Sequence, residues 1–178
     1  MPSTILGLPA HPLIVHAVVV LVPLAAVLLG ASAVSPRFRH WARYASPATA
    51  LVGLIMVPLA TSSGENLERN VQETAQLREH TELGDTLLPF MIGVTVLAFV
   101  LAWFELRRTR QGDGTTSTGA GMARLTSPMA VRVVAVLGLV AALGTLVQVG
   151  RIGHSGAKSV WSQTATSGGG SDEGAPAR

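Results

Sequence analysis

The sequence predicts an all-α integral membrane protein: a four-transmembrane-helix bundle with an amphipathic helix in the external loop between helices two and three. Three observations carry this. Of 178 residues, 48% are apolar and only 13% charged, about half the charged share of roughly 25% usual in soluble domains. Four stretches, 6–36, 44–64, 86–104 and 133–150, contain no charged side chain. A hydrocarbon core about 30 Å thick needs roughly 17–25 helical residues, which all four supply. The remaining charge is sorted by loop, arginine in two and acid in the one between.

These observations exclude other classes. Four apolar helices with so few charges to coat them cannot all be hidden from water in a soluble globule. The mean hydropathy of +0.45 is far too high for a disordered chain. None of the apolar runs alternates with period two, so barrel strands are excluded and helices are left to satisfy the backbone in lipid. The chain has no cysteine, which rules out disulfides, thiolate catalysis and iron–sulfur ligation by its own residues.

The first helix is expected at 13–34. It follows the turn-like run Gly7-Leu8-Pro9-Ala10-His11-Pro12, and Pro12 suits a helix start, where the missing N–H costs nothing. No basic residue precedes it and the run is too long for a cleavable signal, so it should remain in the mature protein. Helix two follows at 45–62, helix three at 86–104 and helix four at 129–149, the last opened by Pro128. Pro23, Pro58 and Pro89 are expected to kink the spans, which membranes tolerate. Gly138 and Ala142 form a small-xxx-small pair in helix four, and Gly53 and Gly93 offer close approach in helices two and three. Gln148, near the outer end of helix four, reads as a headgroup contact. Residues 1–161 thus form one membrane domain, with a flexible linker at 111–127 and a disordered tail at 162–178, both rich in Gly, Ser or Thr.

Loop two differs from its neighbours. Between 65 and 85 it keeps good helix formers, with Leu67, Val71 and Ala75 at i, i+4 and i+8 and acids on the other faces. This predicts the amphipathic helix, lying outside the membrane or at its interface.

Orientation follows from lysine and arginine in the short loops. The first carries Arg37, Arg39 and Arg43 with no acid. The third carries Arg107, Arg108, Arg110 and Arg124 against Glu105 and Asp113. The second has Arg69 and Arg78 against five glutamates and Asp85. Loops one and three are therefore cytoplasmic, and both termini extracytoplasmic. Trp41, Tyr44 and Trp103 then fall at the cytoplasmic edge, as aromatic belts do. The isoelectric point near 10.6 reflects topology; no basic stripe interleaved with aromatics points to nucleic acid.

Topology gives the histidines their interest. Of five, His11 precedes helix one, His16 lies about a turn inside it, His80 precedes helix three and His154 follows helix four. All four fall on the extracytoplasmic side; only His40 faces the cytoplasm. Imidazole ligates zinc, copper or haem iron as a neutral donor and relays protons near neutral pH. Equally, it can simply hydrogen-bond at the interface. His16 stands in a charge-free span, where an ionisable group is costly and usually functional. Glu79, Glu82 and Glu65 are candidates to orient the imidazoles or to join them as ligands. The candidate metal set is therefore His11, His16, His80 and His154, with Glu79 and Glu82 behind it. No nucleophile–base pair, phosphate loop or paired catalytic carboxylate is present, so no catalytic residue is assigned and hydrolysis or phosphoryl transfer is not indicated.

The run Gly7-Leu8-Pro9-Ala10-His11-Pro12-Leu13-Ile14-Val15-His16 resembles the HPLxVH opening of a bacterial membrane-protein family classed as a domain of unknown function. Glu79-His80-Thr81-Glu82-Leu83-Gly84 and the closing Gly153-His154-Ser155-Gly156-Ala157-Lys158-Ser159-Val160-Trp161 resemble its other marked stretches, in the form seen in actinobacterial members. The resemblance covers nearly the whole chain except the tail. It implies a multi-pass protein of the bacterial cell membrane with four helices and no established activity. Some relatives are fused to Rieske domains, which implies redox work beside a quinone, a haem or a partner protein. Where many relatives continue His-Phe-Pro after the second histidine, this chain has His16-Ala17-Val18, so a role tied to that aromatic does not carry over.

Two readings follow. In one, the histidines bind a metal ion (zinc or copper) or b-type haem, and the protein is a redox component in electron transfer. In the other, it is a cofactor-free membrane anchor or accessory subunit of a larger complex, and the histidines brace the bundle.

Overall fold

The computed structural model describes the backbone of residues 4–5, 8–68, 75–112 and 127–168, and the side chains of 11–65, 78, 81–110 and 127–157. A two-residue antiparallel ladder, β1 (Thr4–Ile5) with β2 (Leu8–Pro9), precedes the helices. Six helices follow among the described residues: α1 (Ala10–Val34), α2 (Pro36–Trp41), α3 (Ala45–Glu68), α4 (Ala75–Asp85), α5 (Leu87–Gly112) and α6 (Pro128–Gly168). Four segments are long and apolar enough to cross a membrane: His11–Val34, Ala45–Glu65, Thr81–Arg110 and Pro128–Ala157. This is the expected all-α, four-helix membrane architecture.

The spans run longer than their charge-free cores. Backbone hydrogen bonding does not stop where the first charge appears, so α3 continues to Glu68, α5 to Gly112 and α6 to Gly168. Residues 162–168, expected in a disordered tail, are therefore helical, and 169–178 lie outside the described residues. Of the linker expected at 111–127, the first two residues end α5 and Ser127 caps α6; 113–126 lie outside. The loop-two helix is present as α4 together with the end of α3, while 69–74, including Val71, lie outside. Rather than lying apart on the interface, α4 packs against α3, α5 and α6.

Chain reversals are capped by their own residues. Ser35 Oγ accepts from Phe38 N at 3.2 Å, and Pro36 takes the first helical position of α2. One turn later, buried Arg39 folds back on the C-terminus of α1, its Nε donating to Ser32 O at 2.8 Å and Nη2 to Ala33 O at 3.2 Å. A cation there satisfies the last carbonyls and the negative end of the helix dipole. Burial lowers the Arg39 pKa, nearby Glu105 opposes the shift, and Arg108 adds to it. Glu105 is itself buried and accepts from His40 Nδ1 at 3.0 Å, while Arg43 Nη1 donates to His40 Nε2 at 3.2 Å. We call this the arginine end of the bundle. Trp41 and Tyr44 are well exposed here, and Arg43 and Arg107 lie over the Tyr44 and Trp103 rings.

The long helices form an up-down-up-down ring in which α1 touches α3 and α6, and α5 touches the same two. Val22, Ala25 and Leu29 of α1 meet Ala50 and Val57 of α3 and Met91, Val94, Ala98 and Leu101 of α5 in one core. Small residues set the approach. A Cβ on Gly53 would stand 3.0 Å from Met91 Cε, and one on Gly138 would stand 3.3 Å from Leu29 Cδ1; Gly30 faces Ala142. In lipid, such contact replaces the hydrophobic drive that apolar surroundings cannot supply. Gly93, expected to do the same, has nothing within 4 Å of its Cβ position. The outward faces are aliphatic: Val19, Val133, Val136, Val140 and Val147 are all more than half exposed, as a lipid-facing surface requires.

Candidate functional site

At the other end of the bundle, the helices splay around a cavity of about 600 Å³, within the roughly 300–1,000 Å³ typical of small-molecule sites. Five helices contribute. From α1 come His11, Val15, Val18 and Val19; from α3, Val57, Thr61, Gly64 and Glu65; from α4, Thr81, Gly84 and Asp85. Leu87 of α5 joins them, as do Val149, Ile152, Gly153, Gly156 and Ala157 of α6. The lining is mixed. Val18, Val57, Leu87 and Val149 give aliphatic walls continuous with the core, while His11, Thr61, Glu65, Thr81 and Asp85 are the polar members.

Among the described residues, His11 is the one predicted site histidine in this wall. Its Nδ1 lies 2.8 Å from Ser63 Oγ. The Ser63 hydroxyl spends its single proton on Ala60 O, also at 2.8 Å, so the imidazole must be the donor and Nδ1 carries hydrogen. Gly64 makes the seat: a Cβ there would stand 3.4 Å from His11 Cε1. A proline-bounded helix start thus sets the imidazole against the polar Ser62-Ser63-Gly64-Glu65 end of α3. Ser63 was not legible in advance, because only the antiparallel pairing of α1 with α3 brings it opposite His11.

The other candidates go elsewhere. His16 is exposed and donates from Nδ1 to Pro12 O of its own helix at 2.6 Å. It lies outside the cavity lining, so its need for a partner in an apolar span is met locally. His154 is exposed and likewise outside the lining, although its neighbours Gly153 and Gly156 belong to it. Glu82 is exposed and paired with Arg78 at 3.1 Å. The side chains of Glu79 and His80 lie outside the described residues; their backbone belongs to α4, whose next residue, Thr81, lines the cavity. Among the described residues, no three of His, Cys, Asp and Glu converge as a metal site.

Gln148 is a further departure from expectation. Instead of meeting headgroups it is 5% exposed, with Nε2 donating to Thr86 Oγ1 at 2.5 Å and approaching Leu83 O at 3.4 Å. Thr86 is the joint between α4 and α5, and its hydroxyl donates in turn to Leu83 O at 2.6 Å. A buried amide in an apolar span needs such partners, and the helix break supplies them. The result ties α6 to the joint from which α4, one wall of the cavity, departs.

No curated protein and no solved structure matches the chain. A family described as "Predicted membrane protein (DUF2231)" matches residues 7–168, which takes in every transmembrane span, the cavity and all five histidines. On that coverage, the chain belongs to the DUF2231 family of membrane proteins.

Proposed function

We propose that this protein binds a largely apolar small molecule at the extracytoplasmic end of its bundle, with His11 as a polar contact. The cavity carries this reading: some 600 Å³ with aliphatic walls and a few polar groups is the usual form of a ligand site. Three lining glycines keep it open. Gly84 and Gly153 have nothing within 4 Å of their Cβ positions, and Gly64 admits the imidazole.

One observation favours a second reading, in which the extracytoplasmic histidines hold zinc, copper or a b-type haem and the protein serves electron transfer with a partner protein or quinone. The Nδ1–H of His11 is held by Ser63, and metal-ligating histidines commonly have one ring nitrogen fixed in this way.

One preparation tests both readings. The purified protein is examined by absorption spectroscopy, metal analysis and mass spectrometry of its organic extract, beside His11→Ala, His16→Ala and Gly84→Leu variants. A stoichiometric organic molecule that disappears in Gly84→Leu supports the cavity reading. A Soret band, or stoichiometric zinc or copper, lost in His11→Ala and kept in His16→Ala, supports the cofactor reading. A parent that carries nothing contradicts both and leaves a cofactor-free anchor.

A further inference from the structure

We infer that the cavity selects a lipophilic cation, a molecule with an apolar body and one positive charge, taken up from the bilayer. This rests on the cavity being a ligand site and names the class of ligand. Charge complementarity on an apolar surface points to this class. Glu65 ends the α3 wall and Asp85 ends the α4 wall, so two carboxylates on different helices border one apolar space. Both are exposed, and neither has an ion-pair partner among the described residues.

No lysine or arginine belongs to the described lining. Arg78 is taken by Glu82. On α6, Arg151, which precedes the lining residue Ile152, is exposed and outside the lining, and the side chain of Lys158, which follows Ala157, lies outside the described residues. A cation seated among the valines therefore meets two carboxylates and, among the described lining residues, no lysine or arginine. An anion of the same shape meets repulsion from both, strengthened by the low-dielectric walls. Val19 supplies the route. It lines the cavity and is also 57% exposed, which makes it the point at which a molecule from the bilayer would enter.

Tetraphenylphosphonium and tetraphenylborate make the test, being nearly the same size and opposite in charge. Equilibrium dialysis of each against the full-length protein in neutral detergent is corrected for partition into protein-free micelles. The expected result is that the phosphonium binds at least about tenfold more tightly, a difference of about 1.4 kcal/mol. The combined Glu65→Gln and Asp85→Asn substitutions should abolish that preference, and Gly84→Leu should abolish binding of both ions. Equal binding, or preference for the borate, with both lost in Gly84→Leu would overturn the cation inference and leave the cavity reading standing. Phosphonium binding that Gly84→Leu leaves intact would overturn both. Binding of neither ion also overturns the inference, while the co-purification experiment above decides the cavity reading on its own. Because both carboxylates are exposed, their substitution leaves the core unchanged, and melting temperatures within a degree or two of the parent verify this.

Discussion

Gln148 on α6 donates to the hydroxyl of Thr86 at the joint between α4 and α5, 2.5 Å away. The pair lies 62 residues apart in sequence and does two things at once. It satisfies a buried amide, and it fixes the point from which α4 leaves the α5 axis to become a wall of the cavity.

Gln148→Leu should therefore loosen α4 selectively. Interhelical hydrogen bonds in membranes average well under 2 kcal/mol, so a loss of about 1 kcal/mol in stability is expected. Amide hydrogen exchange gives the sharper reading. Residues 78–85 should exchange faster in the variant, while 91–101 in the core of α5 stay protected. Unchanged exchange in α4 would mean that packing against α6, and not this bond, holds it.

Gly138 sits where α6 crosses α1 and α5, its Cβ position 3.3 Å from Leu29 and 3.8 Å from Leu101. Gly138→Leu should cost about 1–3 kcal/mol, the usual range for overpacking. Leu139→Ala, next door but on the exposed side, should cost less because lipid fills the space left. Thermal unfolding in detergent compares them, and equal melting temperatures would show that Gly138 is not the contact point.

Arg39 should matter to stability although it lies in the short helix α2, outside the spans. Its side chain caps two carbonyls of α1, and hydrogen bonds made by a charged group are worth about 1.5–3 kcal/mol each. Arg39→Met is expected to cost about 2 kcal/mol or more, whereas Arg37→Met, at an exposed position, should stay within about 0.5 kcal/mol of the parent. If the two variants melt alike, the arginines serve orientation alone.

Orientation is checked separately. The arginines of α2 and the end of α5 share one end of the bundle with Trp41 and Tyr44, and the positive-inside rule predicts a cytoplasmic location for that end. Reporter fusions after Arg110 should show a cytoplasmic location and fusions after Lys158 an external one. The reverse pattern would turn the cavity inward.

The sequence made the spans legible because hydropathy and charge act residue by residue: an uncharged run long enough for the bilayer has few alternatives. It also placed His11, before Pro12 at the head of the first span, among four candidate histidines, though it gave His16 the greater weight. Partnership was not legible. His16 looked like the residue in need of a ligand, yet one turn of its own helix supplies Pro12 O, a local bond that topology cannot reveal. Ser63, Asp85 and Thr86 gained their roles only from the way antiparallel helices meet. Whether a polar residue such as Gln148 faces headgroups or a neighbour depends on helix rotation, which an all-round apolar span leaves unspecified.

The central claim is that the cavity between α1, α3, α4 and α6 holds a molecule. Native mass spectrometry of the parent beside Gly84→Leu tests it most directly, since Gly84 lines the cavity and a Cβ added there meets nothing within 4 Å. The parent should carry a bound species at close to one per chain, and the variant, folded and with an unchanged melting profile, should carry none. A parent and a variant that both fly as bare protein, or that retain the same adduct equally, would contradict it.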